Sequence, residues 1–232
     1  MSGACSEGSI GAVPGRLVDL SFALEDGMPT LPGVLPEARI RPLLDHESSR
    51  DRYQGKAEFF LGGVEMSTNV GTYVDSPFHR FRDRDDLAAV PLERWAGLPG
   101  IVVDGPDAHG PVDVDLDAEA TRGRAVLIRT GWDRRWPGDA YWEPGPYLSE
   151  AAVEALLSGP AALVGVDFGN VDDTSNPVRP AHTRLLDAGI LIVERLTGLD
   201  QLPGDGFRFF AVPPRVLGGA SFPVRAFAEL DA

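Results

Sequence analysis

Four apolar runs of strand length are the feature of this chain that most constrains its fold. A strand with apolar residues on both faces must be covered on both sides, as in the sheets of α/β domains. The runs comprise residues 100–104, 125–130, 162–167 and 190–194. They predict buried strands of one sheet.

Two segments between and beside these runs have helical patterns. Residues 149–157 open with Ser149, a favoured N-cap residue, and carry apolar side chains at helical spacing. Residues 180–188 begin with Pro180 and are followed by Gly189, as expected at the start and end of a helix. The alternation of strands and helices predicts an α/β fold, a single domain with a mixed β-sheet or partial barrel flanked by helices.

The length of 232 residues fits one domain, which we place at residues 16–232. Residues 1–15 are rich in Gly, Ser and Ala and lack a basic segment followed by an apolar one. They predict a disordered tail and not a signal peptide. No apolar run approaches the length of a membrane span. A cytoplasmic location is therefore expected.

Charge and residue usage exclude several functions. A formal charge of −14 disfavours binding to nucleic acid or to an anionic membrane surface. Cys5 is the only cysteine and lies in the tail, which excludes disulfides and thiolate-rich zinc sites. Lys56 is the only lysine, so lysine chemistry has almost no candidate residue. Any metal must be held by histidines and carboxylates, and the expected partner is a small-molecule substrate.

The segment 69–79 concentrates polar groups in an otherwise apolar stretch. Asn69, Tyr73, Asp75 and His79 have the same parity, so in an extended strand they would project to one face. Pro77 cannot donate to a sheet ladder and should end the strand, leaving His79 on the exit turn. Spacing alone fits either a catalytic row or the polar face of an edge strand.

Three residues elsewhere each allow a structural and a functional interpretation. His182 lies on the apolar face of its helix, where a hydrogen-bonded core histidine is the commoner case. Glu194 ends a buried strand, and a buried carboxylate requires partners. Trp132, at a strand end, either lines a pocket or packs in the core.

These segments together resemble the cyclase-like metal hydrolase family that includes bacterial kynurenine formamidase and isatin hydrolase. The family signature, His-x-Gly-Thr-His-x-Asp-x-Pro-x-His, stands here as Asn69-x-Gly71-Thr72-Tyr73-x-Asp75-x-Pro77-x-His79. Further matching segments are 19–21, 27–33, 127–132 and 180–194. The resemblance implies the fold, an enzymatic activity and a homodimer or higher homo-oligomer.

The resemblance also implies roles for individual residues. In the family, the first two signature histidines and the aspartate bind a divalent metal, and the final histidine is the acid/base, which corresponds to His79. Asn69 and Tyr73 replace the two metal-binding histidines, and both are poor ligands for transition metals. A second site of Asp75, His182 and Glu194 would still provide three ligands. We therefore expect at most one zinc or manganese ion, or none.

The functional prediction is a cyclase-family enzyme acting on a small carbonyl compound by acid/base chemistry. His79 and Asp75 are the predicted catalytic residues, and Asn69, Tyr73 and Trp132 the predicted substrate contacts. The reaction would hydrolyse an amide or lactone-type bond or close a ring. Two alternatives remain open. One is a metal-free cyclase or dehydratase of a biosynthetic pathway, and the other is a catalytically silent small-molecule-binding homologue.

Overall fold

The computed structural model of this protein describes residues 15–107 and 109–231. The predicted disordered tail, apart from Gly15, lies outside these residues. In the part of the chain that is described, no helix is both long enough and apolar enough to cross a membrane.

Strands dominate the described residues, and the helices are short. The strands are β1 (Leu17–Asp19), β2 (Arg39–Leu44), β3 (Leu61–Glu65), β4 (Tyr73–Asp75), β5 (Leu98–Asp104), β6 (Gly110–Val112), β7 (Ala125–Arg129), β8 (Pro146–Leu148), β9 (Leu163–Val166), β10 (Leu191–Glu194), β11 (Phe207–Phe210), β12 (Ser221–Pro223) and β13 (Phe227–Leu230). The α-helices are α1 (His46–Arg52), α2 (Ala118–Thr121), α3 (Glu150–Ser158) and α4 (Pro180–Asp187).

Nine of the described strands form one mixed sheet in the order β1-β13-β11-β5-β7-β9-β10-β4-β12. The central strands β5, β7, β9 and β10 run parallel, whereas β4 pairs antiparallel with both β10 and β12. The sheet curls into a half-barrel. The predicted α/β fold with a mixed sheet or partial barrel is confirmed.

The central strands are apolar on both faces because each face carries its own core. Ile128 and Ile192 face a cluster completed by α3 and α4, which includes Leu156 and Leu185. Neighbouring residues of opposite parity, such as Leu127, enter a second cluster on the other face of the sheet. The four apolar runs are therefore buried strands, as predicted.

The predicted helix ends are also confirmed. The side chain of Ser149 accepts a hydrogen bond from the backbone N–H of Ala152 at the start of α3. Pro180 occupies the first turn of α4, and Gly189 follows that helix with φ of +75°. Glycine adopts this left-handed conformation without steric cost.

Segment 69–79 is extended over fewer residues than predicted, and His79 lies on an exit turn that begins at Pro77, as predicted. β4 covers only Tyr73–Asp75, Asn69 lies in a turn before it, and His79 ends a 3₁₀ turn after it. Gly71 interrupts the strand with φ of +62°, and a Cβ there would lie 2.7 Å from Leu24 Cδ2. The side chains of this segment are therefore positioned by turns as well as by strand parity.

Candidate active site

Strand register brings four polar side chains together on the face of the sheet that α4 covers. Tyr73 of β4 stands opposite Glu194 of β10, and Asp75 stands opposite Ser221 of β12. Directly paired residues in antiparallel strands project to the same face. Ile192, paired with Asp75, packs in the cluster that α4 completes, which identifies this face. All four polar residues are buried.

Asp75, Ser221 and His79 form a hydrogen-bonded chain from the interior to the surface. The Ser221 hydroxyl donates to Asp75 Oδ1, and its oxygen lies 3.0 Å from His79 Nδ1. Because that hydroxyl hydrogen is used by Asp75, the serine oxygen accepts from Nδ1–H, and Nε2 of His79 keeps its lone pair. The His79 side chain is 35% exposed. This arrangement suits a solvent-accessible general base.

His182 lies on α4 between three carboxylates. Its Nδ1 is 2.7 Å from Asp172 Oδ2, while its Nε2 is 3.7 Å from Asp75 Oδ2 and 3.6 Å from Glu194 Oε1. Asp172 also accepts the backbone N–H groups of Ala181 and His182. It thereby caps the first turn of α4 and directs the far nitrogen of the imidazole toward the site.

Burial and charge shift the protonation of this cluster. Burial by itself lowers the pKa of His182, but the hydrogen bond to Asp172 and the nearby charges of Asp75 and Glu194 outweigh it and raise the pKa to about 10. Burial raises the pKa of Glu194. Burial would also raise the pKa of Asp75, yet the charges of His79 and His182 bring it below its usual value. Protonated His182 therefore places a positive charge beside Asp75.

Tyr73 engages Glu194 directly. Its hydroxyl donates to Glu194 Oε2, and the backbone N–H of Val171 donates to Glu194 Oε1 at 2.7 Å. Burial and the charge of Glu194 raise the pKa of Tyr73 well above its ordinary value. The phenol therefore stays protonated and acts as a donor to Glu194.

The donor set fits one divalent ion. Ligand atoms of Asp75, His79 and His182 lie within 4.8 Å of one another. Asp75 Oδ2 is buried and has no hydrogen-bond partner among the described residues, as expected of an oxygen reserved for a cation. The predicted ligands Asp75 and His182 are thus brought together. Glu194 adjoins them, but both of its oxygens already accept protein hydrogen bonds, and its role as a ligand stays a prediction.

Two other predicted site residues are placed differently. The Asn69 side chain accepts a hydrogen bond from Thr68 Oγ1, and no hydrogen bond joins that side chain to the described Asp75 cluster. Trp132 is 1% exposed, and its indole N–H donates to the Tyr141 carbonyl. These contacts match the packing alternative for Trp132. Substrate contacts by Asn69, Tyr73 and Trp132 stay predictions.

Sequence reasoning missed two residues of the cluster. Ser221 lies in a C-terminal strand of ordinary composition and reaches Asp75 only through the pairing of β12 with β4. Asp172 belongs to the polar loop after β9 and carried a weak signal, since it precedes the helix of His182 by eight residues. Carboxylates just before a helix commonly cap it.

Fold and site together define an α/β enzyme with histidines and carboxylates gathered in one cluster. Residues 18–173 match the family described as putative cyclase. The chain belongs to the putative cyclase family. It is 33% identical over 187 residues to a kynurenine formamidase of Salinibacter ruber, a match that covers 75% of this chain and 82% of that protein.

Two solved structures share the fold over nearly the whole chain. Isatin hydrolase A from Ralstonia solanacearum is 25% identical, with a TM-score of 0.72 and coverage of 93% of this chain and 92% of that one. Isatin hydrolase A from Labrenzia aggregata, bound to benzyl benzoate, is 24% identical, with a TM-score of 0.79 and coverage of 94% of each chain. The resemblance inferred from the signature is thereby confirmed.

Proposed function

We propose that this protein is an amide hydrolase for small carbonyl compounds, with His79 as the acid/base. The observation that carries the proposal is the hydrogen-bonded chain from buried Asp75 through Ser221 to accessible His79. Similarity to a kynurenine formamidase and to an isatin hydrolase supports an aryl formamide or a lactam as the substrate.

The chemistry can be followed atom by atom. His79 Nε2 takes a proton from the water that adds to the amide carbonyl carbon. The same nitrogen then returns the proton to the departing amine nitrogen as the C–N bond breaks. Asp75, through Ser221, holds the imidazole in the tautomer that the first step requires and stabilises its protonated form.

A divalent metal would strengthen this reaction. Asp75 and His182 would hold it, with Glu194 or His79 as the third ligand. Such an ion lowers the pKa of bound water and polarises a carbonyl oxygen. His79 cannot be both a ligand and a base through the same lone pair, and we assign it the acid/base role.

Turnover of a substrate panel tests the proposal. Wild-type protein is incubated with N-formylkynurenine, isatin and a simple lactone, and products are followed by mass spectrometry. A hydrolase adds one water across the cleaved bond, so isatin and the lactone give ring-opened acids and N-formylkynurenine gives kynurenine and formate. The same panel is then tested with His79→Ala. Its matched control is His46→Ala, which removes an exposed histidine of α1 outside the site.

Other outcomes correspond to the alternatives. A product that has lost water, or an isomer with a new ring, would replace hydrolysis with cyclase or dehydratase chemistry. Binding of the panel without turnover would identify a silent binding protein. Undiminished turnover after exhaustive chelation would favour the metal-free form of the mechanism.

We further propose a homodimer or higher homo-oligomer located in the cytoplasm. Family membership supports the oligomer. Light scattering at micromolar concentration tests the first statement, since a monomer would contradict it. Fractionation of the native host tests the second.

A further inference from the structure

Arg195 is a buried cation immediately after Glu194. It is 7% exposed, and among the described residues it is the only arginine that is buried. Burying a guanidinium is costly unless an anion or a full set of acceptors compensates it. Arg195 therefore requires an explanation beyond packing.

The protein contacts of Arg195 leave its charge uncompensated. Nη1 donates to the Asn69 carbonyl at 3.2 Å, and Nη2 donates to the Thr30 carbonyl at 2.9 Å. Nε is buried and has no partner within the described chain. No carboxylate of residues 15–107 or 109–231 lies within 4.0 Å of this guanidinium, although seven other arginines form such pairs. We refer to the edge with Nε, which is buried and has no partner among the described residues, as the free Nε edge.

Two aromatic rings flank the guanidinium of Arg195 and connect it to the site. The guanidinium carbon is 5.4 Å from the centre of the Tyr73 ring and 5.2 Å from that of Trp142. The hydroxyl of the same Tyr73 bonds to Glu194, whose other oxygen is 3.6 Å from His182 Nε2. A single tyrosine thus separates the guanidinium from the carboxylate cluster.

We propose that Arg195 binds a carboxylate of the substrate through its free Nε edge, so that the preferred substrates are anionic amides. A planar guanidinium pairs with a carboxylate through two parallel hydrogen bonds, a geometry that the flanking rings favour. This inference rests on the proposed hydrolase function and specifies its substrate class. The alternative is that Arg195 has no role in substrate binding and only tethers the loops of Thr30 and Asn69.

A pair of substrates separates these roles. We compare kcat/KM for 2-formamidobenzoate and for its methyl ester, which differ in charge, in wild type and in Arg195→Gln. Wild type is expected to prefer the acid by about 10- to 100-fold, the range for hydrogen bonds to a charged group. Arg195→Gln should lose this preference, whereas Arg208→Gln, at an exposed arginine, should keep it.

The contrary results are distinct. Equal loss of both activities in Arg195→Gln would assign Arg195 to loop tethering. If wild type hydrolyses the acid and the ester equally well, the proposal about Arg195 is overturned, although the hydrolase function stands. Turnover of neither compound would count against the hydrolase function. If neither compound is turned over, or if Arg195→Gln fails to fold, calorimetry on wild type tests whether Arg195 binds a carboxylate. Benzoate should bind at least tenfold more tightly than benzamide, and equal binding would refute the inference.

Discussion

Replacing Ser221 by alanine should impair both stability and catalysis. The hydroxyl of Ser221 is the hydrogen-bond donor to Asp75 Oδ1, and the other oxygen of Asp75 has no partner among the described residues. Ser221→Ala leaves a fully buried carboxylate without a hydrogen bond. It also leaves His79 Nδ1 3.7 Å from the nearest carboxylate oxygen, beyond hydrogen-bond distance.

The contacts of Ser221 determine how much stability and turnover Ser221→Ala should lose. Leaving a buried polar group unsatisfied costs roughly 1–3 kcal/mol in the free energy of unfolding. For a domain of this length, that loss lowers Tm by about 2–12 °C. Turnover should fall by about 10- to 100-fold, which is less than the full contribution of a general base because the imidazole remains present.

Denaturant unfolding and steady-state kinetics measure both effects in one preparation. Ser158→Ala is the matched control, because Ser158 is exposed and its hydroxyl bonds only to a carbonyl in its own helix. It should leave stability and turnover nearly unchanged. If Ser221→Ala retains wild-type turnover, the chain from Asp75 to His79 does not support catalysis.

Two further predictions concern pH and metal content. Burial raises the pKa of Asp167 to about 6, above its ordinary value of 3.8. The stabilisation from protonated Asp167 is complete below pH 3.8 and is lost as the pH rises through about 6. The unfolding free energy of wild type relative to Asp167→Asn should therefore fall by up to about 3 kcal/mol over this interval, and a flat difference in urea titrations would contradict the shift. Elemental analysis should find at most one divalent metal per wild-type chain. If the backbone keeps the geometry in which positions 69 and 73 both face Asp75, the double variant Asn69→His, Tyr73→His should bind a second, because imidazoles replace weak ligands; two metals in wild type would refute the loss of the first site.

The strands and helices could be predicted because each has a local cause. The apolar runs of β7, β9 and β10 require burial on both faces, and Ser149 and Pro180 mark helix starts by their own backbone chemistry. Parity failed for Asn69, since the left-handed Gly71 interrupts the extended backbone, whereas His79 lies on the exit turn that Pro77 predicted.

The other features of the site that could not be predicted from the sequence depend on contacts between distant segments of the chain. Ser221 and Asp75 are 146 positions apart, and only the register of β12 against β4 joins them. The free edge of Arg195 is likewise a property of the assembled loops around Thr30 and Asn69. Neither feature has a sequence pattern of its own.

The most direct test of the account is the His79→Ala variant, assayed for turnover and metal content in the same sample beside His46→Ala. Turnover should fall about 10²- to 10⁴-fold, the usual contribution of a general acid/base. Metal per chain should match that of wild type, because Asp75 and His182 remain. Unchanged turnover would contradict the acid/base role of His79, and loss of metal together with turnover would make His79 a ligand instead.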